Sequence, residues 1–146
     1  MSLDIGLYLC ESNLDVSKLI LDPPAKFVNR GKLAESFAAL ELLKNTSPFS
    51  EGALFYWHRE AKNSNAEVDY VVQFRNGILP IEVKSGTSGS MASLRLMIEE
   101  KHLPFAVRTS EENFGTVNGN IRIIPLYMIG EFDRILRAAG DGSNSM

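Results

Sequence analysis

The stretch Ala66–Gly86, AEVDYVVQFRNGILPIEVKSG, decides how this chain folds. Two runs rich in β-branched and aromatic residues, Val68–Phe74 and Ile78–Ser85, flank the dipeptide Asn76-Gly77. Asn-Gly between two such runs is a strong hairpin signal, because both turn residues tolerate a positive φ. The stretch therefore predicts two antiparallel strands joined by a tight turn.

Three charged residues lie within these predicted strands: Asp69 in the first, and Glu82 and Lys84 in the second. Side chains alternate between the two faces of a strand, so Glu82 and Lys84 share one face. With Asn76-Gly77 as a two-residue turn, Asp69 is predicted opposite Lys84, and Val71 opposite Glu82, on that same face. Asp69 and Glu82 then become diagonal neighbours, close enough to bind one divalent cation together.

Pro80 does not fit this register, because it falls opposite Gln73 at a hydrogen-bonded pair and has no N–H to donate. A bulge or a longer loop would resolve the conflict. A slip by one residue would instead turn Asp69 to the other face of the sheet. Glu82 and Lys84 stay on one face in either case.

The charged residues suit the chemistry of phosphodiester cleavage. Asp69 and Glu82 offer the oxygen ligands that Mg²⁺ or Mn²⁺ prefers, and such a cation activates water and offsets phosphate charge. Lys84 would position or deprotonate the water, or stabilise the charge that develops at phosphorus. Glu35 is a fourth candidate, because it lies on a mostly apolar helix where an unpaired buried carboxylate is costly. The alternative is a solvated strand face with an Asp69–Lys84 ion pair.

The remaining pattern predicts a mixed β-sheet flanked by helices, with elements in the order α-β-β-β-α-β-β-α. The predicted helices are Lys32–Lys44, Met91–Lys101 and Gly130–Ala139, and the other strands are Ala53–Arg59, Pro104–Arg108 and Ile121–Leu126. We expect Phe55, Trp57 and Phe74 in the core, because strand aromatics usually pack. Residues 1–139 are predicted to form one domain, and the polar residues 140–146 a disordered tail.

Composition narrows the function classes. The net charge of −3 disfavours strong unaided binding to nucleic acid, although it does not exclude a nuclease whose carboxylates await a metal. One cysteine and two histidines exclude a disulfide framework and a Cys/His zinc cluster. No apolar run or leader indicates a membrane protein or a secreted one, so we expect a cytoplasmic location. Scattered basic residues are expected to form a solvated surface rather than a groove: Arg59, Lys62, Lys84, Arg95, Lys101, Arg108 and Arg122.

Several stretches together resemble a known family, the C-terminal domain that follows an AAA-type ATPase module in many prokaryotic ATP-binding proteins. That domain is similar to members of the PD-(D/E)XK nuclease-like superfamily. The matching stretches are Asp4–Leu7, Gly31–Glu35, Tyr56–Arg59, Glu67–Tyr70, Ile81–Ser85 and Ile124–Tyr127. His58 stands where the family pattern has arginine directly after the tryptophan.

The resemblance implies a restriction-endonuclease-like fold with an α-β-β-β-α-β core. It places Glu35, Asp69, Glu82 and Lys84 at the acidic and lysine positions of the superfamily, with the metal on Asp69 and Glu82 and DNA as the partner. The chain has no G-x-x-x-x-G-K-[ST] motif, so ATP is expected only on an ATPase module N-terminal to it in a longer protein.

The sequence leaves two alternative functions open. One is a catalytically inactive module that docks nucleic acid or protein and regulates the ATPase. The other is a toxin–antitoxin or defence-related component. Homo-oligomerisation is open as well.

Overall fold

The computed structural model describes residues 4–11, 30–46, 53–61 and 64–141. Within them lie four α-helices, α1 (Ile5–Glu11), α2 (Arg30–Lys44), α3 (Ala92–Lys101) and α4 (Phe132–Asp141), and a 3₁₀ helix (Leu126–Glu131). The strands are β1 (Phe55–Ala61), β2 (Ser64–Phe74), β3 (Gly77–Glu82), β4 (Ala106–Ser110), β5 (Gly115–Val117) and β6 (Ile121–Pro125). From α2 to β4 the elements follow the predicted order. None of the helices in the described ranges combines the length and apolarity needed to cross a bilayer.

Within the described residues the strands form one six-stranded sheet in the order β1-β2-β3-β4-β6-β5. β1, β2 and β3 are antiparallel neighbours, and β4 lies parallel to β3 after the α3 crossover. β6 is parallel to β4, and β5 is antiparallel to β6 at the edge. The prediction of a mixed sheet flanked by helices is confirmed. The sequence pattern does not predict β5, since three residues are too few to show a period.

Two apolar clusters cover the two faces of the sheet. On one face, α2, the 3₁₀ helix and α4 pack against Leu79, Ile81 and Val107. On the other face, α3 packs against Val68 and Ala106. The central strand β4 is buried along its whole length, as a strand covered on both faces should be.

The core predictions for the predicted first helix, Trp57 and Phe74 are confirmed, and the one for Phe55 is wrong. α2 exposes only Gly31, Lys32 and Lys44, as its broad apolar surface indicates. Trp57 and Phe74 pack into the two clusters. Phe55 does not, because it lies at the start of an edge strand with 65% of its surface exposed. The predicted tail begins inside α4, which includes residues 140 and 141, and residues 142–146 lie outside the described ranges.

The register of the hairpin differs from the predicted one by two residues. Phe74 pairs with Gly77, so the turn residues are Arg75 and Asn76, and the positive φ of 54° falls on Arg75. The prediction of an Asn76-Gly77 turn is therefore wrong. The predicted pairs Asp69–Lys84 and Val71–Glu82 are wrong with it.

Pro80 gives the physical reason for this register. A two-residue turn is closed by a hydrogen-bonded pair, and hydrogen-bonded and non-hydrogen-bonded pairs then alternate along the ladder. In the observed register Pro80 pairs with Val71, two pairs beyond Ile78, at a non-hydrogen-bonded position. The pairing of β3 with β4 begins only at Ile81, so neither neighbouring strand requires an N–H from Pro80.

A β-bulge lies on β2 next to β1. Phe55 pairs with Val71 and Trp57 pairs with Val68, so Asp69 and Tyr70 together face the single residue Tyr56. The extra residue interrupts the alternation of side chains. Consequently Val68 and Val71 pack in the same cluster, although strict alternation predicts opposite faces.

Amide hydrogen exchange tests the register. In the observed register the Leu79 N–H donates a hydrogen bond to β2. The Ile78 N–H points away from β2, toward the side where β4 pairs with β3 only from Ile81 onward. We expect Leu79 to exchange at least about tenfold more slowly than Ile78, a factor that corresponds to about 1.4 kcal/mol. The measurement is two-dimensional NMR of the chain in D₂O. The reverse order would indicate the Asn76-Gly77 turn.

Candidate functional site

The bulge residue Asp69 lies where the pairing of β2 with β3 ends. The last pair of this ladder joins Tyr70 to Ile81. Beyond it, Asp69 Oδ2 accepts a hydrogen bond from the Val83 N–H at 2.7 Å. The carboxylate thus takes the place of a backbone carbonyl and lies against the Glu82–Val83 peptide group.

Glu82 and Lys84 form a partly enclosed ion pair. Lys84 Nζ lies 2.6 Å from Glu82 Oε1. The other carboxylate oxygen, Glu82 Oε2, is buried and has no hydrogen-bond partner. The Lys84 backbone is held by Thr109, whose hydroxyl accepts from the Lys84 N–H at 2.9 Å and donates to the Lys84 carbonyl at 3.1 Å. A buried acceptor without a donor is costly, so this oxygen is a candidate for binding a ligand.

Glu35 reaches the same region from α2. The Tyr70 hydroxyl donates to the Glu35 carbonyl at 3.1 Å and so ties α2 to the bulge. A cavity of about 260 Å³ lies at this point, and Glu35 and Asp69 are among the residues that line it. The other lining residues are Leu54, Phe55, Tyr56, Glu67 and Tyr70.

The charges of the four predicted residues are coupled. Burial is the main cause that raises the pKa of Glu35, Asp69 and Glu82 above their ordinary values. The Asp69 charge raises the pKa of Glu35 and of Glu82 further, whereas the Lys84 ammonium lowers the pKa of all three carboxyl groups. Burial and then the two carboxylates, Glu35 and Asp69, raise the pKa of Tyr70 to about 12, so its hydroxyl remains a donor at neutral pH. The structure therefore brings these predicted site residues into one electrostatic group.

Arg108 belongs to this region, although the sequence places it only among scattered surface residues. It is 3% exposed and pairs with Glu82 across the β3–β4 ladder. Its Nη2 donates to the Thr87 carbonyl at 3.2 Å, and its Nε is buried without a partner. A side chain added at Gly89 would come within 3.3 Å of the Lys84 stem and 3.7 Å of Arg108 Nη2. The loop after β3 is thus packed against both basic residues.

The expectation that Arg108 is exposed is wrong because burial depends on pairing. A single arginine at the end of an apolar run does not reveal whether its strand is central or marginal. The one signal in the sequence is that the other residues of its predicted strand, Pro104–Arg108, are all apolar, which favours a buried strand.

A divalent metal is compatible with two of these residues. Among the described residues no three His, Cys, Asp or Glu side chains group closely enough to hold a metal ion. Mg²⁺, however, usually keeps several waters and is bound by one or two carboxylates together with substrate phosphates. The unpartnered Glu82 Oε2 and the Asp69 carboxylate fit that donor set.

The chain belongs to a family defined as a domain of unknown function, DUF4143, whose model matches residues 30–129. Members of this family typically lie C-terminal to AAA-type ATPase domains. The match includes all four predicted site residues and Arg108. No curated protein and no solved structure matches the chain significantly.

The raised pKa of Asp69 predicts how the variant Asp69→Asn depends on pH. A raised pKa means that the ionised carboxylate is less favourable in the folded state, so its contribution to stability is present below 3.8 and is lost as pH rises through the folded pKa. We expect Asp69→Asn to gain stability relative to the wild type as pH rises from about 3.5 to about 8. Urea unfolding at several pH values measures this difference.

Asp133→Asn is the matched control, because its exposed carboxylate has a pKa lowered by the hydrogen bond from Arg137. Its contribution is present above 3.8 and is lost as pH falls through the folded pKa. This variant should therefore lose stability relative to the wild type as pH rises. The same sign for both variants would contradict the electrostatic description of the site.

Arg108 is predicted to stabilise the fold more than an ordinary arginine. Arg108→Met removes the charge beside buried Glu82 and the hydrogen bond to the Thr87 carbonyl, and should lower the free energy of unfolding by about 3 kcal/mol. Arg122→Met, on the neighbouring strand β6, loses a bond of 2.8 Å to Thr116 Oγ1 and should cost about 1 kcal/mol or less. Equal costs in urea unfolding would show that Arg108 has no special role.

Proposed function

We propose that this domain is a metal-dependent phosphodiesterase that acts on DNA, with a restriction-endonuclease-like fold of the PD-(D/E)XK type. The observation that carries the proposal is the convergence of Asp69, Glu82 and Lys84 on one short segment, with a buried Glu82 oxygen that lacks a partner. The element order α-β-β-β-α-β and the pairing of the central hairpin support the fold. We further propose a cytoplasmic location, in a longer chain with an AAA-type ATPase module that alone would bind ATP.

The roles of the residues follow from their positions. Asp69 and Glu82 would hold Mg²⁺ or Mn²⁺, which supplies Lewis-acid activation of water and of the phosphate. Lys84 would exchange its bond with Glu82 for one to a phosphate oxygen, and its ammonium would stabilise the negative charge that develops there. Glu35, beside Asp69 and with a raised pKa, would accept a proton at its carboxylate near the cavity.

A second candidate function is a non-catalytic docking module that regulates an ATPase. The 2.6 Å ion pair between Lys84 and Glu82 favours it, because the pair already satisfies the lysine without a metal. Metal binding separates the two functions, since only the first requires it.

Cleavage assays test the proposed activity. The 146-residue chain is incubated with single-stranded, duplex and branched DNA in Mg²⁺ or Mn²⁺. We expect cleavage, and Lys84→Met and Asp69→Asn should each lower its rate by about 100-fold or more, because the first removes the ammonium that stabilises charge at the reacting phosphate and the second removes a ligand of the metal. Lys101→Met, at an exposed lysine on α3, should leave the rate unchanged.

Calorimetric titration with Mn²⁺ provides the second readout. Binding by the wild type that disappears in Asp69→Asn and in Glu82→Gln supports the phosphodiesterase. A wild type that binds no Mn²⁺ and cuts none of the three DNA forms would refute it in favour of the docking module.

A further inference from the structure

Two neighbouring aromatic residues at the start of β1 are open to solvent. Phe55 is 65% exposed and Tyr56 is 71% exposed. Single apolar residues on a surface are common, but these two line the same cavity as Glu35 and Asp69. Because they are consecutive on β1, their side chains point to opposite faces of the sheet, and only Tyr56 lies opposite the bulge. The exposed Tyr56 ring beside the candidate site is therefore a candidate binding surface.

The bulge brings one of these rings to the carboxylates. Tyr56 is the single β1 residue opposite the two bulge residues, Asp69 and Tyr70. Without the extra residue on β2, each β1 residue would face one β2 residue, and the side chains on one side of the bulge would point to the opposite face of the sheet. The same distortion that orients Asp69 therefore places it beside an exposed tyrosine.

The cavity has a fixed wall and a small volume. The Tyr70 hydroxyl donates a hydrogen bond to the Glu35 carbonyl, which holds the Tyr70 ring in place as one wall of the cavity. The volume of about 260 Å³ lies below the range of about 300–1,000 Å³ that drug-sized ligands occupy. A single flat ring stacked on an aromatic side chain suits this space better than an extended ligand.

The charges of the domain argue against a duplex as the ligand. Duplex binding depends on many basic side chains that neutralise phosphates. The net charge is −3, and six of the basic residues in the described ranges are already in ion pairs with carboxylates. These are Arg30, Lys44, Arg59, Lys84, Arg134 and Arg137. Affinity must therefore come largely from ring stacking and from a cation held by the carboxylates.

We infer that the exposed Tyr56 ring forms a stacking platform for an unpaired base of single-stranded nucleic acid, with the adjacent phosphate directed to Asp69 and Glu82. Bases within a duplex are stacked on one another and present no free face, whereas unpaired bases stack readily on aromatic side chains. The direction of the phosphate rests on the proposed function; the stacking does not.

Binding measurements on the 146-residue chain test this platform. The probe is a fluorescent single-stranded oligothymidylate, compared with a duplex of equal length, in Ca²⁺ so that binding is separated from cleavage. We expect tighter binding of the single strand. Tyr56→Ala should weaken it about tenfold, and Tyr56→Phe should preserve it, because only the ring is needed.

Tyr127→Ala is the matched control, since Tyr127 is 74% exposed but does not line the cavity. It should leave binding unchanged. A single strand that contains 2-aminopurine adds a spectroscopic readout: stacking quenches its fluorescence, and the quenching should be lost in Tyr56→Ala and kept in Tyr56→Phe.

The outcomes separate the platform from the phosphodiesterase. Ring-dependent binding of single strands without any cleavage supports the platform and removes the proposed activity. The platform is overturned if the duplex binds at least as tightly, if Tyr56→Ala behaves like Tyr127→Ala, or if neither nucleic acid binds. Cleavage that depends on Lys84 would leave the activity standing in each of those cases.

Discussion

A proline that cannot donate a hydrogen bond lies in the central hairpin, and the positions of the site residues depend on where it is tolerated. Pro80 faces Val71 at a non-hydrogen-bonded pair, and this phase fixes the turn at Arg75-Asn76. The same ladder, continued beyond its last pair, brings Asp69 to the end of β3. Moving the turn by one residue at each side would place Pro80 opposite Gln73 at a hydrogen-bonded pair and would set Asp69 opposite Lys84.

The candidate site lies just beyond the last pair of that ladder, Tyr70–Ile81. Strand pairing would ordinarily satisfy the Val83 N–H with a backbone carbonyl, but the bulge at Asp69 supplies a carboxylate instead. Bulges are common beside active sites because they reorient a side chain without disturbing the rest of the sheet. Here one extra residue sets both the Asp69 carboxylate and the facing ring of Tyr56.

The charges of the site work against stability in the absence of a ligand. Burial raises the pKa of three carboxyl groups, and Glu82 Oε2 and Arg108 Nε are both buried without partners. A fold selected for stability alone would replace such groups with apolar side chains. Their presence beside well-packed central strands is typical of a functional site, where local rules are broken and the surrounding core compensates.

Local periodicity is enough to predict the order of the main elements, the proximity of the Glu82 and Lys84 side chains, and the apolar surface of α2. Long-range strand pairing and packing set the register, the bulge, the exposure of Phe55 and the burial of Arg108. Asn-Gly is the more favourable local turn sequence, but the chain turns at Arg75-Asn76, because this register places Pro80 at a non-hydrogen-bonded pair and is compatible with the pairing of β3 with β4. Local patterns report which residues are adjacent along one strand, whereas burial and register depend on which strands lie on either side.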